Sequence, residues 1–567
     1  MKIKRFVTLC LAFLLVFQLT ACKSTDPATD STKGDSKKED AQKENSQKED
    51  DTKPDSSQDT ADSDSAEEWS WPLPEKRELS MWLTWSNDYA TTPNDLIAIQ
   101  KLEEETNVRV KWSTVTVQEA TEKFGLMLAS GDYPDIIRDA GNYYTGGMVQ
   151  MVMDGLSYDL TDEVPHYMPN YHALRTSNPS LEKDTITDDG RLVGVYTIAS
   201  DMGAVRGESV WVGLCLRGDW LEELNLPLPA TIDDWYTTLT VFKEQYSCEA
   251  PLLVGAANAY DISQSFLTAY GVLGEFYQDK GTVKYGPLEK GYREWVQLFR
   301  DWYAEGLIDP DFITNDATFT GTAEYIGTGR AGACSNIWGL TADTYKLQGL
   351  TKDESYFLTA VPAPVLNKGD VSQSGFATSN LIKEGIVITK NCKDLELVCR
   401  WLDCWYDYDN MMMLSLGIEG ETYQKAADGS VTMTEEFNNR IAAGEYPSPQ
   451  ALISTYHLLS NSFGLYNWQM NNILASGNRA LEAYEAWDQN HFDLLLPSSM
   501  TMTEEEAINF NSAYTAIKTL VQENTIKFIT GTQPMENYDV FLQTLYDYGI
   551  EACIQYQQAA LDRYNAR

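Results

Sequence analysis

Imidazole is the scarcest functional group in this chain of 567 residues: there are only four His, at positions 166, 172, 457 and 491. No two stand at i, i+4, which leaves little from which to build a zinc centre, and a catalytic metal is not expected. Nor does the chain contain a G-x-S-x-G, a P-loop or an H-E-x-x-H, so three common routes to hydrolysis have no sequence support. With 84 acids, paired carboxylates arise by chance, and no glycosidase pair can be nominated from spacing. Positive charge is short as well. Lys and Arg number 43, the formal charge is -41 and the pI is near 4.4. Nucleic acid and anionic membrane surfaces would be repelled, and no nucleic-acid partner is expected.

Long apolar runs are confined to the start of the chain. Residues 1–22 combine Lys2, Lys4 and Arg5 with an apolar stretch from Phe6 to Leu19 and a small-residue end. That stretch is too short to span a bilayer comfortably and has the pattern of a signal peptide. Its terminus, Leu19-Thr20-Ala21-Cys22, looks like a bacterial lipobox, predicting cleavage before Cys22 and a diacylglyceryl and palmitate-type anchor on its thiol. Residues 23–68 contain no Val, Ile, Leu, Met or aromatic side chain and carry 15 acids against 7 bases. Such a tract has nothing to bury and is expected to be a disordered acidic tether. Taking the leader's +3 and the tether's -8 from the total leaves -36 on residues 69–567. We attribute this acidity to solubility at a crowded surface.

Of nine Cys, Cys10 leaves with the leader and Cys22 is lipidated, so seven remain. An odd number leaves at least one free thiol in a monomer. Cys392, Cys399 and Cys404 are separated by 7 and 5 residues, which matches no zinc motif. Buried thiols are the expected state.

What is abundant is apolar and aromatic surface: 43% apolar residues, with 15 Trp and 32 Tyr. At this length two globular lobes are the default. Strand patterns at 79–85, 108–115 and 134–137 alternate with helical patterns at 95–106 and 118–129, implying crossover units on a largely parallel sheet. Ser130-Gly131-Asp132 has the signature of a helix C-cap and turn. Further strands are expected at 191–198, 210–216, 252–255, 330–336 and 384–390, helices at 288–305 and 393–406, and a hairpin at Asp428-Gly429. Asp219 with Glu222, and Thr231 with Asp234, are expected capping boxes. In the second of these helices Trp235, Leu239, Phe242 and Tyr246 form one apolar face. No tandem repeat is evident.

The segment from Leu216 to Glu244, LRGDWLEELNLPLPATIDDWYTTLTVFKE, closely resembles the signature of family 1 extracellular solute-binding proteins. Four other stretches carry the same resemblance: FGLMLASGDYPDII from Phe124, MDGLSYDLTDEVPHYMPNY from Met153, WYAEGLIDPDF from Trp302 and GIEGETY from Gly417. The resemblance implies an α/β, two-lobed periplasmic-binding-protein-like fold (type II) with crossover strands between the lobes and a ligand cleft between them. Lobe one would span about residues 75–198 with later returning segments, and lobe two about 215–380 with part of the C-terminal helical region. It also implies a lipid-anchored receptor on the extracellular face of the cell membrane, a monomer without a cofactor, serving the membrane-embedded permease of an ABC importer. The ligand class implied is carbohydrate, an oligosaccharide. The alternatives are a surface-anchored glycan hydrolase, a peptide-binding protein and a ligand-presenting sensor.

Trp and Tyr offer a flat apolar face to the C–H face of a pyranose while keeping a polar edge. Most are expected in cores, Trp235, Trp295 and Trp401 among them. Trp85, Trp338 and Trp468 instead lie at strand ends or in polar loops, and with Asn87, Asp88, Tyr143, Asp201 and Asn336 they are the expected ligand-binding set.

Overall fold

The computed structural model describes residues 69–201, 204–205, 210, 212–254, 262–314, 319–337, 351, 353–377, 381–446, 448–458, 463–467, 470–474 and 480–567. Along these residues run the strands β1 (Arg77–Thr84), β2 (Val108–Val115), β3 (Ile136–Arg138), β4 (Val195–Asp201), β5 (Val212–Arg217), β6 (Ala250–Leu252), β7 (Ala331–Ile337), β8 (Leu358–Ala360), β9 (Leu381–Ile388) and β10 (Leu465–Asn467). The helices that matter for the argument are α1 (Ile97–Thr106), α2 (Ala120–Ser130), α3 (Ile232–Tyr246), α4 (Lys290–Ala304), α5 (Ala480–Trp487), α6 (Glu504–Ile529) and α7 (Ile550–Ala566).

Two sheets result. The larger has the order β10-β4-β9-β3-β1-β2, with the short strand Ala204–Val205 paired to β4; the smaller has the order β8-β5-β7-β6. Each has its own core. Leu79, Met81, Ile136, Ile198, Ile388 and Trp401 belong to one cluster, and Leu216, Trp235, Phe242, Phe299, Ile308 and Phe528 to another. The mixed α/β, two-lobed architecture expected from the sequence is therefore the one observed.

Direction within the sheets decides where a ligand can sit. β1 runs parallel to β2 and to β3, while β9 is antiparallel to both β3 and β4. The C-terminal ends of β1, β2, β3 and β4 consequently share one edge. β10 is parallel to β4 and ends there too. In lobe two β7 is parallel to β6 and antiparallel to β5, so the end of β7 lies beside the start of β5, with Ile337 opposite Val212. Among the described residues the chain passes between the elements of the two lobes from β4 to β5, from β8 back to β9, and from β10 to α5. The first crossing joins the C-terminal edge of one sheet to the corresponding edge of the other. In open α/β sheets this is the edge at which ligands bind.

The third crossing brings Trp487 of α5 onto β5, where its indole N–H donates to the Leu214 carbonyl at 3.1 Å. A Cβ on Gly213 would lie 2.5 Å from that indole nitrogen, so close approach, not turn geometry, requires the glycine. A further tie links the lobes through α7: Arg567 and Arg563 both donate to Asp188, at 2.8 and 3.3 Å, and the Tyr564 hydroxyl donates to Asp184 at 3.0 Å.

The resembling segment is structural. Thr231 Oγ1 accepts from Asp234 N at 3.1 Å and the Asp234 carboxylate accepts from Thr231 N at 3.0 Å, the expected capping box. The other expected box does not form. Helix Gly218–Glu223 follows Arg217 with no side-chain cap, because Asp219 is drawn back to Arg217, whose Nε donates to its carboxylate at 2.8 Å. The pair is buried, with side chains 3% and 6% exposed, and the guanidinium lies 4.4 Å from the Trp220 ring. Trp220 in turn stacks on Tyr246 at 4.0 Å. Arg-x-Asp-Trp thus fastens the end of β5 to α3. Strand ends elsewhere shift by a few residues: the expected strand at 191–198 is observed at Val195–Asp201, and that at 252–255 at Ala250–Leu252. The expected helix 393–406 is Leu395–Asp403 followed by a 3-10 turn, and the Asp428-Gly429 hairpin joins Tyr423–Lys425 to Val431–Met433. All seven remaining Cys are free and buried.

Candidate functional site

On the lobe-one edge the chain leaves β1 through Trp85 and turns back at Asn87. The turn is built by the Asn87 amide: its carbonyl oxygen accepts from Tyr89 N at 2.7 Å and Ala90 N at 3.2 Å, while its NH2 donates to Ser454 O at 2.8 Å. Asn87 is therefore committed to shaping the loop. The turn and the end of β2 border a depression of about 580 Å³ lined by Trp85, Asp88, Tyr89, Thr114, Thr116 and Glu119. Trp85 is 7% exposed, and its buried indole N–H has no hydrogen-bond partner among the described residues. Asp88 is exposed, and Tyr89 is 44% exposed with its ring 5.7 Å from Tyr446. Tyr89 escaped the sequence reading, although it follows directly on Asn87-Asp88 in the same turn; a tyrosine in a polar strand-end loop was the available signal.

Beside this depression β3 ends in a buried charge pair. Arg138 Nη1 donates to Asp139 at 3.1 Å, and the Thr84 hydroxyl donates to the same carboxylate oxygen at 3.2 Å. Asp139 adopts φ 62°, a conformation uncommon for a residue with a side chain, and its N–H donates to Gly385 O at 2.9 Å. The pair was also missed. Two opposite charges directly after the apolar Ile136-Ile137 are its only sequence trace. Tyr143, half-buried in the following turn, packs against Trp82 and Phe124 with centroids at 5.7 and 5.6 Å.

The remaining candidates fall on the same two edges in backbone position. Asp201 ends β4 opposite Ala204, and Asn336 in β7 is opposite Gly213. Trp338 and Trp468 lie outside the described residues. In lobe two the edge opens into a larger cavity of about 720 Å³, bordered at the sheet by Val212, Gly213, Val254 and Ser335. No group of three or more His, Cys, Asp or Glu placed to hold a metal occurs among the described residues.

Two α/β lobes, each with its own sheet and core, between which the chain passes repeatedly, are the architecture of the two-lobed solute-binding proteins. The sequence assigns the family. Residues 90–412 match the model of the bacterial extracellular solute-binding proteins, and the chain belongs to that family. It is 25% identical over 375 residues to the fructooligosaccharide ABC transporter substrate-binding protein FusA of Streptococcus pneumoniae, a match covering 63% of this chain and 66% of FusA, just under two thirds. It is 24% identical to lipoprotein LipO of Bacillus subtilis over 362 residues, 61% of this chain and 67% of LipO. Among solved structures, an HMO-binding, ABC-transporter-associated solute-binding protein from Bifidobacterium longum infantis superimposes with a TM-score of 0.69 at 16% identity, covering 86% of this chain and 99% of that one. This last likeness concerns the fold.

Proposed function

We propose that this protein is a lipid-anchored receptor of an ABC importer that captures an oligosaccharide between its lobes and delivers it to the permease without chemical change. The observation that carries the reading is that β4 ends on the C-terminal edge of the lobe-one sheet while β5 begins beside the end of β7 in lobe two, which is where a ligand held between the lobes would meet the Trp85–Tyr89 turn and the lobe-two cavity. A ligand that touches both edges binds the closed arrangement better than the open one, and that difference in affinity shifts the population toward closure. The carbohydrate class and the importer are supported by FusA, and the anchor at Cys22 by the lipobox and by LipO. Asp88, with its exposed carboxylate, and the exposed ring of Tyr89 are the lobe-one groups best placed to meet a sugar; Trp85, Asp201, Asn336, Trp338 and Trp468 complete the proposed set.

A thermal-shift screen of purified protein against fructo-, xylo- and galacturono-oligosaccharides and against peptides tests this reading. A true ligand at 100 times its Kd adds about 2.7 kcal/mol to stability. Chromatography of the recovered sugar must show it intact. Turnover would replace the receptor with a hydrolase, and stabilisation by peptides alone would replace the carbohydrate. The anchor is tested separately: Cys22→Ala should release the protein into the medium or leave it unprocessed, since residues 23–68 offer no large apolar side chain to hold a bilayer. Retention of that variant on salt-washed membranes would refute the assignment.

A further inference from the structure

The segment GIEGETY at 417–423 builds a depression of its own beside the lobe-one shelf. Gly417, at φ 88°, ends the helix Tyr408–Leu416, and a Cβ there would lie 2.6 Å from Thr422 Oγ1. The Thr422 hydroxyl donates to the Leu416 carbonyl and closes the turn. Gly420, Glu421 and Thr422 then line a depression of about 410 Å³, together with Glu436, Phe437 and Arg440 of helix Glu435–Ala442 and with Tyr456. That volume lies within the ~300–1,000 Å³ of ordinary ligand pockets.

The lining mixes an apolar surface with uncommitted polar groups. Phe437 and Tyr456 are 2% and 6% exposed. The carboxylates of Glu421 and Glu436 are exposed and make no hydrogen bond or ion pair among the described residues. Arg440 is held in place by Glu445, which accepts from its Nε at 3.0 Å and from its Nη2, and the same Nη2 donates to the Tyr446 hydroxyl at 3.4 Å. Neither partner uses Nη1. Hydroxyl groups of a sugar can donate to the two carboxylates and accept from Nη1, in charge-assisted bonds. The two carboxylates repel an anionic guest and leave a neutral one unopposed.

A row of side chains joins this depression to the shelf. Tyr89, 44% exposed on the shelf, has its ring 5.7 Å from that of Tyr446, and the Arg440 guanidinium lies 5.1 Å from the Tyr446 ring on its way to the depression. The backbone makes the same link. Ser454 O accepts from the Asn87 amide of the shelf turn, and two residues on, Tyr456 O accepts from Ala98 N at 2.9 Å. Two partly exposed tyrosine rings in succession suit the C–H faces of consecutive sugar units.

We propose that the turn at 417–423 and helix Glu435–Ala442 form a second saccharide subsite, which holds the outer units of a neutral oligosaccharide whose inner units lie in the cleft, with Tyr89 and Tyr446 against the units between. The inference rests on the receptor reading given above and adds chain length and charge to it.

Calorimetric titration with fructo- and xylo-oligosaccharides, from disaccharide to hexasaccharide, tests it. Affinity should climb at least about tenfold along the series that binds, as a second subsite is engaged. Tyr446→Ala should weaken the longest members roughly two- to tenfold and leave the shortest bound member unchanged. Glu436→Ala, at an exposed position whose loss should not move the Tm, should cost the longest members at least about twofold and carries the test alone if Tyr446→Ala melts early. Affinity that does not rise with length, a rise that survives the variants, or a variant that weakens every length equally overturns the subsite and leaves the receptor reading intact. So does a galacturono-oligosaccharide series that gains as much with length as the neutral one, or that binds when neither neutral series does. Absence of binding by every sugar, neutral or acidic, overturns both.

Discussion

The C-terminal strand edges of the two lobes solve different problems. On lobe one, the Trp85–Thr91 turn spends its polar atoms on itself: Asn87 makes three hydrogen bonds within the protein, and what is left for a ligand is the exposed surface of Asp88 and Tyr89. On lobe two, a cavity of about 720 Å³ reaches from Val212, Gly213 and Ser335 at the sheet to the faces of α4 and α6. One lobe offers a shallow, polar shelf on a rigid loop, the other a hole. The difference teaches that affinity and selectivity need not come from matched halves, since the shelf can orient a ligand that the cavity desolvates.

If lobe two owes its shape to the Arg217 segment, the largest effects will follow from breaking that segment. Asp219→Ala strands the Arg217 guanidinium, 3% exposed, leaving it the Ile326 carbonyl at 3.3 Å and the Asp353 carboxylate at 3.5 Å. A loss of about 3–5 kcal/mol is expected. Trp235→Ala, at a position with no exposed surface, should cost a similar ~3–5 kcal/mol through its cavity. Both variants should lose ligand only to the extent that they unfold, measured by calorimetric titration beside thermal melts. A variant that melts normally but no longer binds would put the segment in the site and break the contrast.

Acid tests the other lobe. His457 sits between Tyr456 and Leu458 of the lobe-one core, and burial holds its imidazole down at about 3, against 6.5 for the exposed group. The unfolded chain therefore takes up a proton that the folded chain refuses. Stability is fully present above pH 6.5 and falls as pH drops toward 3, by about 3 kcal/mol at pH 4. His457→Leu should flatten that fall. Asp403 opposes it: burial pushes its carboxyl up to about 6, even though it accepts from Tyr171 N at 2.9 Å and Asn170 N at 3.2 Å. Here the folded chain binds its proton first, so acidification from pH 6 to 4 adds stability. Asp403→Asn should make the acid decline steeper over that interval. Melts of the three proteins between pH 3 and 7 check both signs, and identical profiles would refute them.

How much of this was legible beforehand depends on whether a feature is made by neighbours in sequence or across the fold. The Thr231–Asp234 cap, the Gly131 C-cap and the amphipathic α4 are local, and their patterns predicted them. Asp219 shows the limit: three residues before Glu222 it has the spacing of a cap, but Arg217, two residues earlier, binds it more strongly than a backbone N–H does. Asn87 was singled out for the right loop, yet its partner Ser454 lies 367 residues away, and nothing local announces that its amide is occupied. The lobe-two cavity could not be foreseen at all. Tyr292, Trp295 and Phe299 have the spacing of an ordinary buried helix face, and only the placement of α6 leaves space in front of them.

The smallest expected effects separate shelf from scaffold within a single turn. Asn87→Ala removes the acceptor for two backbone N–H groups and the donor to Ser454, and should cost about 1–2 kcal/mol of stability with an affinity loss that follows from the misplaced loop. Tyr89→Ala removes an exposed ring that caps no hydrogen bond of the turn through its side chain and touches Tyr446 at 5.7 Å. Its melting temperature should stay within about 1 °C of the parent, because surface substitutions are usually within about 0.5 kcal/mol. If the ring lies along the sugar, affinity should fall by about 0.5–1.5 kcal/mol, roughly two- to tenfold. Asp88→Ala offers the complementary change, deleting the exposed carboxylate that borders the depression. A shelf that hydrogen-bonds the ligand predicts weaker binding for Asp88→Ala with little change in Tm. Should titration give both Tyr89→Ala and Asp88→Ala the parent's affinity, lobe one contributes closure but no recognition, and the contrast between a shelf and a hole reduces to the hole alone.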